Sequence, residues 1–134
     1  MLLVKTKIGV SSIHGIGVFA DQYVMRGTPM WKFQPGFDLQ LTLAELDRLS
    51  EPARHQTLNY AYLDRSSNRY ILCADDARFY NHSEMPNTGP DPTNPDDYID
   101  VALLDIEPGE EILCNYRDFY TDIERVGKLV HTSV

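Results

Sequence analysis

The chain has 134 residues, with 12 basic against 20 acidic side chains and a formal net charge of −8. That length fits one folded domain with a real core, held without disulfides or metal. The acidic balance argues against direct nucleic-acid binding, which draws on a basic face. It suits a basic protein or peptide partner, although acids that only keep the surface soluble would give the same balance. The two cysteines, Cys73 and Cys114, lie in separate apolar runs with no C-x-x-C spacing. No metal site is expected from them, and two buried free thiols fit a reducing compartment. No apolar run approaches a membrane span, and the N-terminus lacks a signal peptide's apolar core. The expected location is therefore intracellular, cytoplasmic or nuclear.

In chain order, Leu2, Val4, Thr6 and Ile8 alternate with Leu3, Lys5 and Lys7 as a first strand. Ser11 to Gly17 is a turn of small residues, and Val18-Phe19-Ala20 is short and β-prone. Arg26-Gly27-Thr28-Pro29 is another turn, and Met30 to Phe33 a further strand. Leu41 to Ser50 reads as a helix, with Thr42 and Glu45 spaced as a capping box and Leu43, Leu46 and Leu49 on one face. Ser50 and Pro52 open a second short helix, so a helical insert spans about 42–58. Tyr60 to Leu63 and Tyr70 to Cys73 flank a polar turn as a hairpin. Glu84 to Asp97 holds four prolines and reads as a loop. It could recruit a basic substrate or be inert surface. Tyr98 to Leu104 returns to strand character, Glu107 to Glu110 is a turn, and Ile112 to Tyr116 is a last strand. Asp122 to Leu129 is a candidate terminal helix, weakened by Gly127. Many short strands with one helical insert make a mostly β domain without a doubly wound β–α rhythm.

Three motifs stand out. Gly15-Ile16-Gly17-Val18-Phe19-Ala20 fits G-x-G-x-x-A, and Asp38 lies at the distance a ribose-binding acid would need. A dinucleotide site would require a helix through Val18, Phe19, Tyr23 and Val24, which are poor helix formers, and no second β–α unit follows. A turn that lets backbone approach a ligand is the better reading. The other motifs are Arg78-Phe79-Tyr80-Asn81-His82-Ser83 with Pro86-Asn87, and Asp105-Ile106 with Pro108-Gly109-Glu110-Glu111-Ile112 and Tyr116.

Together and in this order the three resemble the signature segments of the SET domain, a protein-lysine methyltransferase family, over Gly15 to Tyr116. The resemblance implies a β-clip-like fold: several small twisted sheets around a C-terminal pseudoknot, where the last segment passes under the loop after Asn81-His82-Ser83. The whole chain, 1–134, would be one such domain, with 117–134 closing the site. The implied reaction is S-adenosyl-L-methionine-dependent methylation of a lysine ε-amine in a basic protein such as a histone. Tyr116 would be catalytic. His14, Gly15, Ile16 and Gly17, with Arg78, Asn81 and His82, would hold the cofactor. Tyr60, Tyr62, Cys114 and Tyr120 would line the lysine channel.

Each residue also has a plainer reading. Asn81 and His82 could bond their own turn, Arg78 could be a solvated charge, and Tyr60, Tyr62 and Tyr116 could simply pack. Glu110 and Glu111 look like paired carboxylates, but neighbours on a strand face opposite ways. Cys114 stands where the family usually carries Tyr or Phe. Its smaller side chain predicts room for more than one methyl. The zinc-bearing flanks of many family members are missing, so Phe119, Tyr120 and the C-terminus, or a second subunit of a homodimer, must close the channel. Two alternatives remain: a SET-like module that binds cofactor or peptide without turnover, and a small dinucleotide-binding domain.

Overall fold

Among the described residues, backbone hydrogen bonding resolves into four small sheets, two of them hairpin-like and two joining distant parts of the chain. The computed structural model describes residues 1–64, 66–94 and 99–118. Strands β1 (Thr6–Val10) and β2 (Ile16–Ala20) form an antiparallel pair, with Gly9 opposite Gly17. The first strand thus begins at Thr6, later than the alternation suggests. Leu2 instead bridges to Trp31 on β3 (Pro29–Lys32), and Leu3 donates its N–H to the Met30 carbonyl.

Strand β4 (Leu39–Leu41) leads into the helical insert. Helix α1 (Leu43–Asp47) is capped by Thr42, whose side chain accepts from the Glu45 N–H while the Glu45 carboxylate accepts from the Thr42 N–H. This capping box satisfies two otherwise orphaned donors. Leu46 is the buried residue of that helix. Helix α2 (Glu51–Tyr60) is capped by Ser50, which accepts from the Ala53 N–H. Tyr60 is its last residue, where the sequence suggests a strand. Strands β5 (Tyr62–Asp64) and β6 (Arg69–Leu72) complete a sheet of order β4-β6-β5. Asp64 accepts from both Ser66 and Ser67 in the connecting turn, which lowers its carboxyl below the usual range.

A 3-10 turn at Asp76–Phe79 is capped by Asp75 and delivers the chain to β7 (Asn81–His82). Strand β8 (Thr88–Pro90) lies inside the segment read as a loop. It is the edge of a sheet ordered β3-β9-β8, where β9 is Ile99–Ala102, and an edge position tolerates Pro90. Pro95 to Asp97 and Tyr98 lie outside the described residues. The turn through Gly109, φ 88°, has Glu110 donating to the Glu107 carbonyl, as Pro108-Gly109 implies.

The last strand, β10, is only Leu113–Cys114, and it pairs in parallel with β7. Tyr116 belongs to a 3-10 turn, Tyr116–Asp118, rather than to the strand. Asn87 locks the crossing from the side. Its Nδ2 donates to the Glu111 carbonyl at 2.8 Å, and its Oδ1 accepts from the Leu113 N–H at 2.8 Å. This parallel pairing is the contact that the expected knot requires. The segment 119–134, with Phe119, Tyr120 and the candidate terminal helix, lies outside the described residues. The core beneath these sheets is built on the fully buried Val18, Val24, Met30, Ile106 and Ile112. Mostly β architecture, several small sheets and a two-helix insert agree with the fold class expected from the sequence.

Candidate functional site

The sharp turn before β2 sets one wall. Gly15 has φ 47°, a left-handed value that suits glycine, and a side chain there would meet nothing within 4 Å. Asn81 reaches across 65 residues or more to hold this turn. Its Nδ2 donates to the His14 carbonyl at 3.0 Å and to the Ile16 carbonyl at 3.3 Å. His14, Gly15 and Ile16 stay exposed while Asn81 is buried. Gly17 is buried for a different reason: a Cβ there would run into the Glu111 carboxylate. Glu111 accepts from the Ser11 hydroxyl at 3.1 Å, whereas Glu110 is exposed. The two acids serve different neighbours, so they form no joint acid–base pair. The chain after Gly17 is strand, not helix. The helix N-terminus a dinucleotide would need is absent, and Asp38 is engaged elsewhere. It accepts from the Met1 ammonium, the Gln34 N–H and the Ala74 N–H.

His82 and Tyr116 meet where β7 and β10 pair. The Tyr116 N–H donates to His82 Nδ1 at 3.0 Å, and the two rings lie 5.2 Å apart. An Nδ1 that accepts is the unprotonated nitrogen, so the imidazole is neutral there. Burial, then the Arg117 guanidinium, hold the His82 pKa below its ordinary value. Its Nε2 is buried with no partner among the described residues. The Tyr116 hydroxyl donates to the Tyr80 carbonyl at 2.6 Å. A tyrosine so tied at both backbone and phenol has little rotational freedom.

Tyr80 and Tyr116 line a cleft with about 560 Å³ of free space, mouth included. Tyr60, Tyr62, Arg78, Cys114 and Tyr116 line it, as do Trp31, Tyr80 and Asp100, which the sequence reading did not single out. Trp31 and Tyr62 pack edge to face at 6.2 Å, and Tyr60 does the same with Phe79 at 5.6 Å. Burial raises the Tyr62 and Tyr80 hydroxyls above their ordinary pKa and pushes the Cys73 thiol up to about 12. Cys114 is buried and raised likewise, so both thiols stay protonated at neutral pH. The Arg78 fork is engaged along one edge by the protein itself. Its Nε and Nη2 donate to the Cys73 carbonyl at 3.1 and 2.9 Å. Tyr120 lies outside the described residues. The missed residue with the clearest signal is Asp100, an acid alone within the apolar run from Ile99 to Leu104.

The SET-domain family matches residues 15–117, most of the chain, and the chain belongs to that family. No curated protein sequence matches it. Among solved structures it is similar to a Plasmodium falciparum protein provisionally described as a histone methyltransferase. That likeness is at 22% identity and TM-score 0.57, covering 84% of this chain and 96% of the other. It is also similar to the Polycomb Repressive Complex 2 of Chaetomium thermophilum in an autoinhibited conformation bound to S-adenosylmethionine. There the identity is 22% and the TM-score 0.65, over 96% of this chain and 17% of that one. A further structure of the same complex, bound to GSK126, gives 23% identity and TM-score 0.66 over the same shares. The chain thus spans about a sixth of those complex subunits. At these identities the likeness concerns the fold.

Proposed function

We propose that the chain transfers methyl groups from S-adenosyl-L-methionine to the ε-amine of a lysine in a basic protein such as a histone. The observation that carries this reading is the double anchoring of Tyr116, through its N–H to His82 and its hydroxyl to the Tyr80 carbonyl, inside an aromatic cleft. The residues that would hold the cofactor are the exposed His14 to Ile16 with the buried Gly17 behind them, Asn81 that braces the turn, and His82. The fit rests on the open left-handed turn at Gly15 and the buried, unpartnered Nε2 of His82. Arg78 has the weakest claim, since the Cys73 carbonyl engages its fork. When bound, the cofactor supplies an electrophilic methyl on a sulfonium.

The chain's own task is to present a neutral amine in line with that methyl. A lysine ordinarily keeps its proton to about pH 10.4, so holding it neutral at pH 7 costs roughly 4–5 kcal/mol. A cleft walled by Trp31, Tyr60, Tyr62 and Tyr80 removes water and so favours the neutral form. Aromatic faces also attract ammonium and methylammonium groups at the mouth. The Tyr80 carbonyl and the Tyr116 hydroxyl sit together on one wall. They orient the amine and stabilise positive charge on the moving methyl.

In this reading, 1–134 is one domain, Tyr120 and the C-terminal segment or a second copy close the channel, and the reaction takes place in the cytoplasm or nucleus. Calorimetry with S-adenosyl-L-methionine, followed by incubation with labelled cofactor and histones, tests it. Binding with label on lysine supports the reading. Binding without turnover would make the chain a non-catalytic module, and absence of binding would end the proposal.

A further inference from the structure

Asp100 has no part in the mechanism above. It lies on β9 opposite Trp31 of β3, and directly opposed residues on an antiparallel pair project to the same face. Both line the cleft beside Tyr62, Tyr80, Cys114 and Tyr116. The ion pairs among the described residues all lie elsewhere, at Asp38, Arg54 with Asp47, and Arg117 with Glu84. Two donors on residues that line the cleft also lack partners among the described residues. The Trp31 Nε1–H and the Tyr80 hydroxyl are buried and unbonded, with their residues 6% and 9% exposed. Two buried donors thus belong to residues that line the same cleft as Asp100. Buried polar groups are rarely left unbonded unless a ligand or water completes them.

Among the described residues, the side chains coupled to Asp100 carry no positive charge. They are Tyr62 on β5, Cys73 beyond β6, Tyr80 before β7, Cys114 on β10 and Asp118 in the last 3-10 turn. The Met1 ammonium acts only weakly, and Arg78 is engaged by the Cys73 carbonyl. Burial and then Asp118 push the Asp100 carboxyl up to about 7. An uncompensated carboxylate among neutral hydroxyls, thiols and aromatic faces is a seat for one cation.

We propose that Asp100 is a further catalytic residue, the anchor for the substrate ammonium and the acceptor of its proton. This rests on the lysine-methylating reading above. The protonated amine enters as a cation and pairs with the carboxylate. Water leaves the cleft, which disfavours both charges, and the pair collapses to a neutral amine and a carboxylic acid. One N–H bond breaks and one O–H bond forms, and the electron pair stays on nitrogen, ready for transfer. The carboxyl then releases its proton to water at the cleft mouth. A positioned acceptor whose pKa lies near the working pH contributes about 10²–10⁴ in rate.

The test compares wild type with Asp100→Asn, which keeps the side chain's shape. Two readouts are used: methyl transfer to histones between pH 6 and 9, and binding of n-butylammonium by NMR titration. Wild-type kcat/KM should rise with pH through about 7, and Asp100→Asn should lose that limb and at least ~10²-fold in rate. The variant should also bind n-butylammonium at least ~10-fold more weakly at pH 8, while n-butanol binds both proteins alike. A fold check by S-adenosyl-L-methionine calorimetry should give equal affinity. If wild type transfers methyl groups and Asp100→Asn does so equally with the same pH profile, Asp100 is not the acceptor and only this inference falls. If wild type transfers none, the underlying reading falls with it. Equal n-butylammonium binding by the two proteins, or none by wild type, overturns the anchor role.

Discussion

His82→Phe removes the accepting Nδ1 together with Nε2, while the replacement ring can still pack 5.2 Å from Tyr116. The Tyr116 N–H then loses its 3.0 Å partner in a partly buried setting. Leaving a buried donor unmade costs about 1–3 kcal/mol, and the half-buried Tyr116 backbone places this case near 1–2. Urea unfolding at pH 8 should show that loss as a lower midpoint with an unchanged slope. The effect should depend on pH. Burial and Arg117 depress the folded-state pKa of His82 below about 6.5, its ordinary value. Its contribution is therefore complete above the ordinary pKa and is lost as pH falls through the depressed one. Wild type should weaken on acidification while His82→Phe does not follow, so the two midpoints approach each other towards pH 5. Equal midpoints at pH 8, or a gap that does not change with pH, would refute the bond and its role in fixing Tyr116.

Tyr116→Phe should keep S-adenosyl-L-methionine binding and the unfolding midpoint within about 1 kcal/mol, yet abolish methyl transfer. Full activity in that variant would discard the proposed mechanism. Cys114→Tyr fills space beside Tyr80 and Tyr116, so wild type should give products beyond monomethyl-lysine and the variant monomethyl product only, by mass spectrometry. Asp100→Asn should stabilise the protein at pH 8. The folded-state pKa of about 7 lies above the unfolded value, so the carboxyl's stabilising contribution is full below about pH 4 and gone above 7. Allowing for partial exposure, the gain should be roughly 2–3 kcal/mol in urea at pH 8 and near zero at pH 4, and an equal gain at both would contradict it. Gly17→Ala should destabilise by about 1–3 kcal/mol, because its Cβ meets the Glu111 carboxylate. Gly15→Ala, with open space but a left-handed φ, should cost about 1 kcal/mol.

The motifs carried the long-range contacts better than periodicity carried the strands. His82 meets Tyr116 through one hydrogen bond across 34 residues, while Asn81 ties the motif to the His14 and Ile16 carbonyls. Strand ends were less legible. Thr6–Val10 reads poorly because Val10 and Ile8 face solvent, so apolar alternation misplaces the strand toward Leu2. Pro90 masked β8, since proline signals a loop unless the edge position is known. Tyr60 ends α2 rather than starting a strand, because the Ser50 cap and Pro52 fix where that helix begins but nothing local fixes where it stops. Within the cleft, Tyr80 and Asp100 were invisible to motif reading. One occupies the variable position of the Arg-Phe-x-Asn-His-Ser segment, and the other is an acid whose partner strand, β3, lies about 70 residues away. Arg78 was legible as conspicuous but not in its contact, since a carbonyl acceptor leaves no trace in sequence.

The central claim is that Tyr116 at the β7–β10 crossing serves lysine methylation. Peptide mass spectrometry of histones incubated with labelled S-adenosyl-L-methionine, with wild type and Tyr116→Phe side by side, tests it most directly. The account predicts labelled methyl on lysine side chains with wild type and none with the variant. Label on another residue type, equal label with both proteins, or none with wild type would contradict it.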